Sequence, residues 1–240
     1  MTGFFKRMAR HMIRSQEEGL RTHKAVLRLL DRVRPVSNLL DVGCSRGAKA
    51  VIYAQSLGMP LNCVSGIEAQ SCYAGEAANK FKVCTFDIEK EPFPFPDESF
   101  DLVICNQVLE HLKNIYRPLK EMDRVVKTGG WLIIGVPNLA GLYNRILLLF
   151  GRQPLSSAID GPHVRSFAHS AFLGFLRQNP NFELAAVEAA NLYPLPYPLI
   201  KLFEGRCAGL SAFTFYLFRK KTHNPDACGW KAGPAEDTCF

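Results

Sequence analysis

The spacing of apolar positions in this 240-residue chain changes period repeatedly along its length. Over 20–33 they recur at helical spacing, with Leu20, Leu27 and Leu30 on one stripe, Val26 and Val33 beside it, and Pro35 closing the run. Beyond Pro35, short β-rich runs alternate with helical ones. Strands are expected at 39–43, 63–68 and 81–87, with helices over about 47–57 and 71–79 between them. Pro92, Pro94 and Pro96 impose a loop, after which 100–106 reads as a fourth, buried strand. A helix is expected at 118–127 and a fifth strand at 131–136, behind the turn Thr128-Gly129-Gly130. Strands alternating with helices build βαβ units and a parallel sheet. Residues 139–179 read as helical with a polar break at 151–162. The last strands, at 182–190 and 212–219, are joined by a loop holding Pro194, Pro196 and Pro198 and only a short helical stretch near 199–204. A parallel crossover needs more than that, so the final pair is expected to be antiparallel.

Composition removes several classes. With 48% hydrophobic and 21% charged residues, the chain fits neither disorder, collagen nor coiled coil, and its length suits one well-buried core. Charge is uneven. Residues 1–34 carry nine Lys/Arg against Glu17, Glu18 and Asp31, a net +6 out of the chain's +7. The expected organisation is a basic amphipathic lead-in over 1–36, a main domain over 37–221 and a loose tail over 222–240. Nucleic acid or an anionic membrane surface could use the lead-in, but a solvated helix face is the preferred explanation. The cysteines Cys44, Cys63, Cys72, Cys84, Cys105, Cys207, Cys228 and Cys239 form no C-x-x-C pair, and several lie in apolar runs, which points to a reducing, cytoplasmic setting. The Arg-rich, acid-free start lacks a signal-peptide core, leaving an organelle transit peptide as the lesser alternative. The most apolar later window, 131–150, contains Pro137, Asn138, Asn144 and Arg145, so no transmembrane segment is expected.

The strongest local signal is LLDVGCSRG at 39–47, a strand entering a glycine-bearing turn that opens a helix. Glycines there let a ligand approach the backbone, and the helix start offers unpaired N–H groups. Glu68 ends the second strand, placed to accept hydrogen bonds from both hydroxyls of a ribose, and Asp87 ends the third, where an adenine amine could be held. Together with GIE (66–68), FDIE (86–89), PFPDESFDLVICNQVLEHL (94–112) and LKEMDRVVKTGGWLIIGVPN (119–138), this pattern resembles the class I S-adenosylmethionine-dependent methyltransferases. The resemblance covers residues 37–138 well and continues more loosely to about 220. It implies an α/β fold: a doubly wound, Rossmann-like, seven-stranded, mostly parallel sheet with an antiparallel last strand, helices on both faces, and an acceptor-side insertion around 139–170. It also implies S-adenosyl-L-methionine as cofactor. Asp41, Gly43 and Gly47 would then shape the pocket for the methionine portion, Glu68 would clamp the ribose, Asp87 with Ile88 would flank the adenine, and Asn106 would meet the methionine end. Ser45 stands where the family usually has a third glycine, so its hydroxyl is a further candidate contact to the carboxylate.

That replacement creates Gly43-Cys44-Ser45-Arg46-Gly47, formally the G-x-S-x-G elbow of a serine hydrolase, with Asp160 and His163 following in the right order. The elbow nevertheless follows the first strand rather than a later one, which disfavours it. A nicotinamide dehydrogenase would need G-x-G-x-x-G, which is absent. His111 and His163 are the catalytic candidates, each able to take a proton from an oxygen or nitrogen nucleophile, and Arg165 could pair with an anionic acceptor. No metal site is expected. The expected activity is methyl transfer to an O, N or C nucleophile of a small-molecule acceptor such as a quinone or sugar. A non-catalytic cofactor-binding subunit that docks a partner through the basic N-terminal helix is the alternative from another class.

Overall fold

The computed structural model describes residues 16–195, 207–224 and 229–230, and side chains from Thr22 onward. Six helices and seven strands are assigned among them: α1 (Gln16–Leu30), β1 (Leu39–Val42), α2 (Ala48–Leu57), β2 (Val64–Ile67), α3 (Ser71–Ala78), β3 (Lys82–Cys84), β4 (Phe100–Asn106), α4 (Tyr116–Val125), β5 (Val126–Pro137), α5 (Leu142–Leu149), α6 (His169–Leu176), β6 (Phe182–Ala190) and β7 (Phe213–Lys220). They form one seven-stranded sheet in the order β3-β2-β1-β4-β5-β7-β6. The first five strands run parallel, while β7 pairs antiparallel with both β5 and β6. This is the mostly parallel sheet that the sequence implies.

Strand periodicity sorts side chains onto two faces. Leu39, Leu102, Ile104, Ile133, Phe215 and Leu217 meet α1 and α2 through Val26, Leu29, Leu30, Ala50 and Tyr53. Leu40, Val103, Cys105, Leu132, Ile134, Tyr216 and Phe218 meet α4 and α6 through Leu119, Met122, Val125, Phe172 and Leu176. The lead-in helix is thus packed against the sheet, and Arg28 reaches Glu188 of β6 at 2.8 Å. Its buried stripe is Val26, Leu29, Leu30 and Val33.

Boundaries differ from expectation where pairing overrides local pattern. β3 stops at Cys84, leaving Asp87 in the following loop, and β5 begins at Val126, taking Thr128-Gly129-Gly130 into an irregular strand start. The segment 139–179 holds two short helices, and the helical stretch near 199–204 lies outside the described residues. The tail is not loose at Trp230, which is 2% exposed, stacks on Phe182 and donates from Nε1 to Leu176 O at 3.0 Å.

One buried polar network pins the far edge. Lys220 at the end of β7 is fully buried; its Nζ donates to Asp123 O and to Val126 O and lies 3.4 Å from the Asp123 carboxylate. Asn179 and Asn181 both donate to Asp123 Oδ2 at 2.9 Å. Lys220→Met strands that carboxylate without its cation and should lower stability by about 3–5 kcal/mol. Adding Asp123→Asn should recover much of this loss. Urea denaturation reads both, and a wild-type midpoint in the single variant would show that the pair contributes nothing.

Candidate active site

Immediately after β1 the chain turns sharply. Gly43 has φ +74° and Gly47 φ +77°, and a Cβ on Gly43 would stand 2.3 Å from Val108 Cγ2, so only glycine fits there. Ser45 takes the same left-handed region at φ +49°. The N–H groups of Gly43 and Cys44 donate to Ile67 O at 2.8 and 3.0 Å, tying the turn to the end of β2. Glu68 completes the tie: its Oε2 accepts the Ser45 N–H at 2.8 Å and its Oε1 the Gln70 N–H at 2.9 Å. Gly47 then caps α2 without a side-chain hydrogen bond, so the cap residue satisfies none of the first-turn N–H groups.

The end of β4 supplies the opposite wall. Asn106 Nδ2 donates to the buried Tyr53 hydroxyl at 3.1 Å, but its Oδ1 has no partner among the described residues. Gln107, at φ +61°, leaves Nε2 unpaired, and Glu110, 1% exposed, leaves both carboxylate oxygens unpaired. Asp41 on β1 is 4% exposed, and no hydrogen bond from the described residues reaches its carboxylate. Burial pushes Asp41 up to about 7, with the Lys49 ammonium opposing and Glu68 reinforcing the shift. Burial likewise pushes Glu110 to about 7, opposed by its own backbone N–H and by Lys49. Buried polar groups usually find partners, so four orphaned atoms within 106–110 mark a surface shaped for something else.

Asp87 is less prepared. Its carboxylate already accepts from Glu89 N–H at 3.0 Å and pairs with Lys90 at 2.9 Å, while Ile88 beside it is buried.

The two candidate histidines come together across 52 residues of chain. Their rings meet edge to face at 5.0 Å. His111 Nδ1 lies 3.2 Å from Pro162 O and His163 Nδ1 3.0 Å from Ser156 O. A carbonyl can only accept, so each Nδ1 is the donor, and in the neutral ring it is Nε2 that keeps the lone pair. Arg165 is tied to the backbone: its guanidinium donates to the carbonyls of Leu112 and Lys113, while Val164 and Arg165 N–H groups donate to Glu110 O at 2.9 and 3.0 Å. The serine-hydrolase constellation is not assembled. Ser45 Oγ bonds no histidine or acid among the described residues, Asp160 is exposed, and His163 is engaged at Ser156. Tyr53, Gln107, Glu110 and Lys49 were not singled out for a role from the sequence. Glu110 lay beside His111 in the fourth-strand block, but nothing local signalled its burial.

Part of the sequence, and the fold, are similar to known proteins. Residues 40–134 match the family model described as a methyltransferase domain. The chain is 31% identical to a 27-O-demethylrifamycin SV methyltransferase of Amycolatopsis mediterranei over 140 residues, 52% of each chain. It is 28% identical to a demethylmenaquinone methyltransferase of Bacillus cytotoxicus over 200 residues, 76% of this chain and 82% of that one. Several curated relatives are matched over only about half to three fifths of their own length. In fold, it superposes on a S-adenosylmethionine-dependent methyltransferase of Thermotoga maritima, a possible histamine N-methyltransferase, with TM-score 0.59 at 19% identity, covering 91% of this chain and 98% of that one.

Because burial raises the Asp41 carboxyl above its unfolded value, the folded state holds a proton there that the unfolded state releases. Its favourable contribution is complete below pH 4 and is lost as pH rises to about 7. Asp41→Asn removes this dependence. In the ligand-free protein, the stability of the variant relative to wild type should therefore rise between pH 4 and 7, by roughly 4 kcal/mol at most. Urea unfolding across that range checks it; a constant difference would mean that Asp41 is not desolvated.

Proposed function

We propose that the protein is a class I S-adenosylmethionine-dependent methyltransferase that transfers a methyl group to an O, N or C nucleophile of a small-molecule acceptor. The observation that carries this reading is the run of unpaired buried polar atoms at the end of β4, facing the glycine turn after β1. The residues present fit the cofactor. The Asn106 Oδ1 and the Asp41 carboxylate lack donors, which an amino acid ammonium supplies, and the Gly43 turn leaves backbone accessible beside them. Gly47 and Ser45 continue that wall. Glu68, buried and already shaping the turn, retains lone pairs for ribose hydroxyls. Asp87 and Ile88 serve the adenine end, Asp87 with the weaker hold because its carboxylate is half-exposed and locally paired.

When bound, the cofactor supplies an electrophilic methyl carbon on a sulfonium. What the protein adds is alignment in a site from which water is excluded. With Nδ1 of each ring turned to a backbone carbonyl, His111 and His163 offer Nε2 as the atom to receive a proton from an oxygen or nitrogen nucleophile. The segment from Leu142 to Phe167, which carries His163, exposes Leu149, Phe150 and Ile159 to solvent, apolar surface suited to an apolar acceptor. Relatives named for a demethylrifamycin and a demethylmenaquinone support a small-molecule acceptor of this kind. Incubation with a metabolite extract and isotopically methyl-labelled cofactor should yield a labelled product by mass spectrometry. Cofactor binding without any labelled product would leave the non-catalytic reading.

Saturation with S-adenosylhomocysteine at about a hundredfold over its dissociation constant should stabilise the protein by about 2.7 kcal/mol. Glu68→Gln should weaken binding at least about tenfold, since one acceptor becomes a donor. Unchanged affinity would remove Glu68 from the site. On the acceptor side, His163→Ala and Arg165→Ala should lower kcat or raise the acceptor KM with cofactor affinity nearly unchanged, Arg165 acting by holding the 162–166 segment against Leu112 and Lys113. Wild-type kinetics in both would place acceptor recognition elsewhere.

A further inference from the structure

We propose that Glu110, His111 and His163 bind one divalent transition-metal ion of the zinc type. A donor atom from each lies within 4.8 Å of the others, and His111 Nε2 stands 4.0 Å from Glu110 Oε1. Bound-metal geometry brings such donors to about 3.4 Å apart, so an ion must draw the side chains together by about 1 Å.

Three independent features favour an ion over a fortuitous cluster. Both imidazoles are fixed in the ligating tautomer by a backbone carbonyl behind Nδ1, the outer contact that metal-bound histidines ordinarily make. Glu110 is 1% exposed with both oxygens unpartnered, and the nearby Lys49 is exposed to solvent and makes no ion pair with it among the described residues. A buried carboxylate without a cation is costly, and a divalent ion offsets that cost. Finally, the two chain segments that contribute ligands are already clamped: Val164 and Arg165 N–H groups bond Glu110 O, and the Arg165 guanidinium bonds the carbonyls of Leu112 and Lys113. The segments that carry the ligands are therefore held together before the ion arrives.

Two nitrogens and one carboxylate suit zinc and its neighbours rather than magnesium or calcium, which take oxygen donors. Three protein ligands leave an open position. Its use rests on the methyl transfer proposed above: the open position holds an oxygen of the acceptor, and the ion eases loss of that oxygen's proton to water, taking the place of the histidine bases of the ion-free protein. The site itself requires only the three side chains.

Chelator-stripped, desalted protein titrated with Zn2+ against a chromophoric chelator should take up one ion per chain at this site. Glu110→Gln, His111→Ala and His163→Ala should each weaken that uptake at least about tenfold, whereas Cys72→Ser, which removes an exposed thiol on α3, should not. S-adenosylhomocysteine-induced thermal stabilisation of the same variants shows that they are folded. Should Glu110→Gln fail to fold, the two histidine variants carry the test. Folded histidine variants that bind zinc as wild type does, or a wild-type protein that takes up no zinc up to about 1 mM, would overturn the proposal. Zinc uptake at this site in a protein that transfers no methyl group would instead overturn the function and leave the metal site standing.

Discussion

Everything functional in this molecule depends on β1 lying between β2 and β4. Strand order runs outward from β1 through β2 to β3, then returns to β4 on the other side. Chains leaving neighbouring strands at such a reversal diverge to opposite faces of the sheet and leave a crevice beyond the strand ends. The turn at Gly43 leaves from one side of that crevice, and Asn106, Gln107 and Glu110 line the other. Close pairing keeps the walls in register: Val42 lies opposite both Ile67 and Cys105. Glu68 then fixes the turn by accepting the Ser45 and Gln70 amides.

The buried acids show how the fold separates structure from chemistry. Asp123 is enclosed with Lys220 and two asparagine amides at the far edge of the sheet, so its charge is matched within the protein. Asp41 and Glu110, just as deeply buried, have no such match, and burial holds both near 7. An acid paired internally stabilises the fold, whereas one left unmatched at a crevice lowers ligand-free stability and is available to a cationic group. The segment between α5 and α6 brings His163 to His111, held there by Arg165 on the carbonyls of Leu112 and Lys113 and by Phe167 packed on Phe172 in the core.

The sequence by itself determined the strand–helix alternation, the mostly parallel sheet and the first wall of the site. Central strands buried on both faces must be written as apolar runs, and a turn that admits only glycine at Gly43 leaves its mark within a few residues. Glu68 was legible for the same reason, being one residue past such a run. Strand ends governed by pairing were less so: Asp87 fell outside β3, and β5 absorbed the glycine pair that looked like a turn. Only the tertiary structure decided that His111 and His163 meet, that Glu110 is buried between their segments, that Tyr53 reaches Asn106, and that Arg165 is a clamp. Each of these is a contact between residues distant in sequence, made by backbone carbonyls and side chains whose spacing has no period, so no local pattern along the chain could encode it.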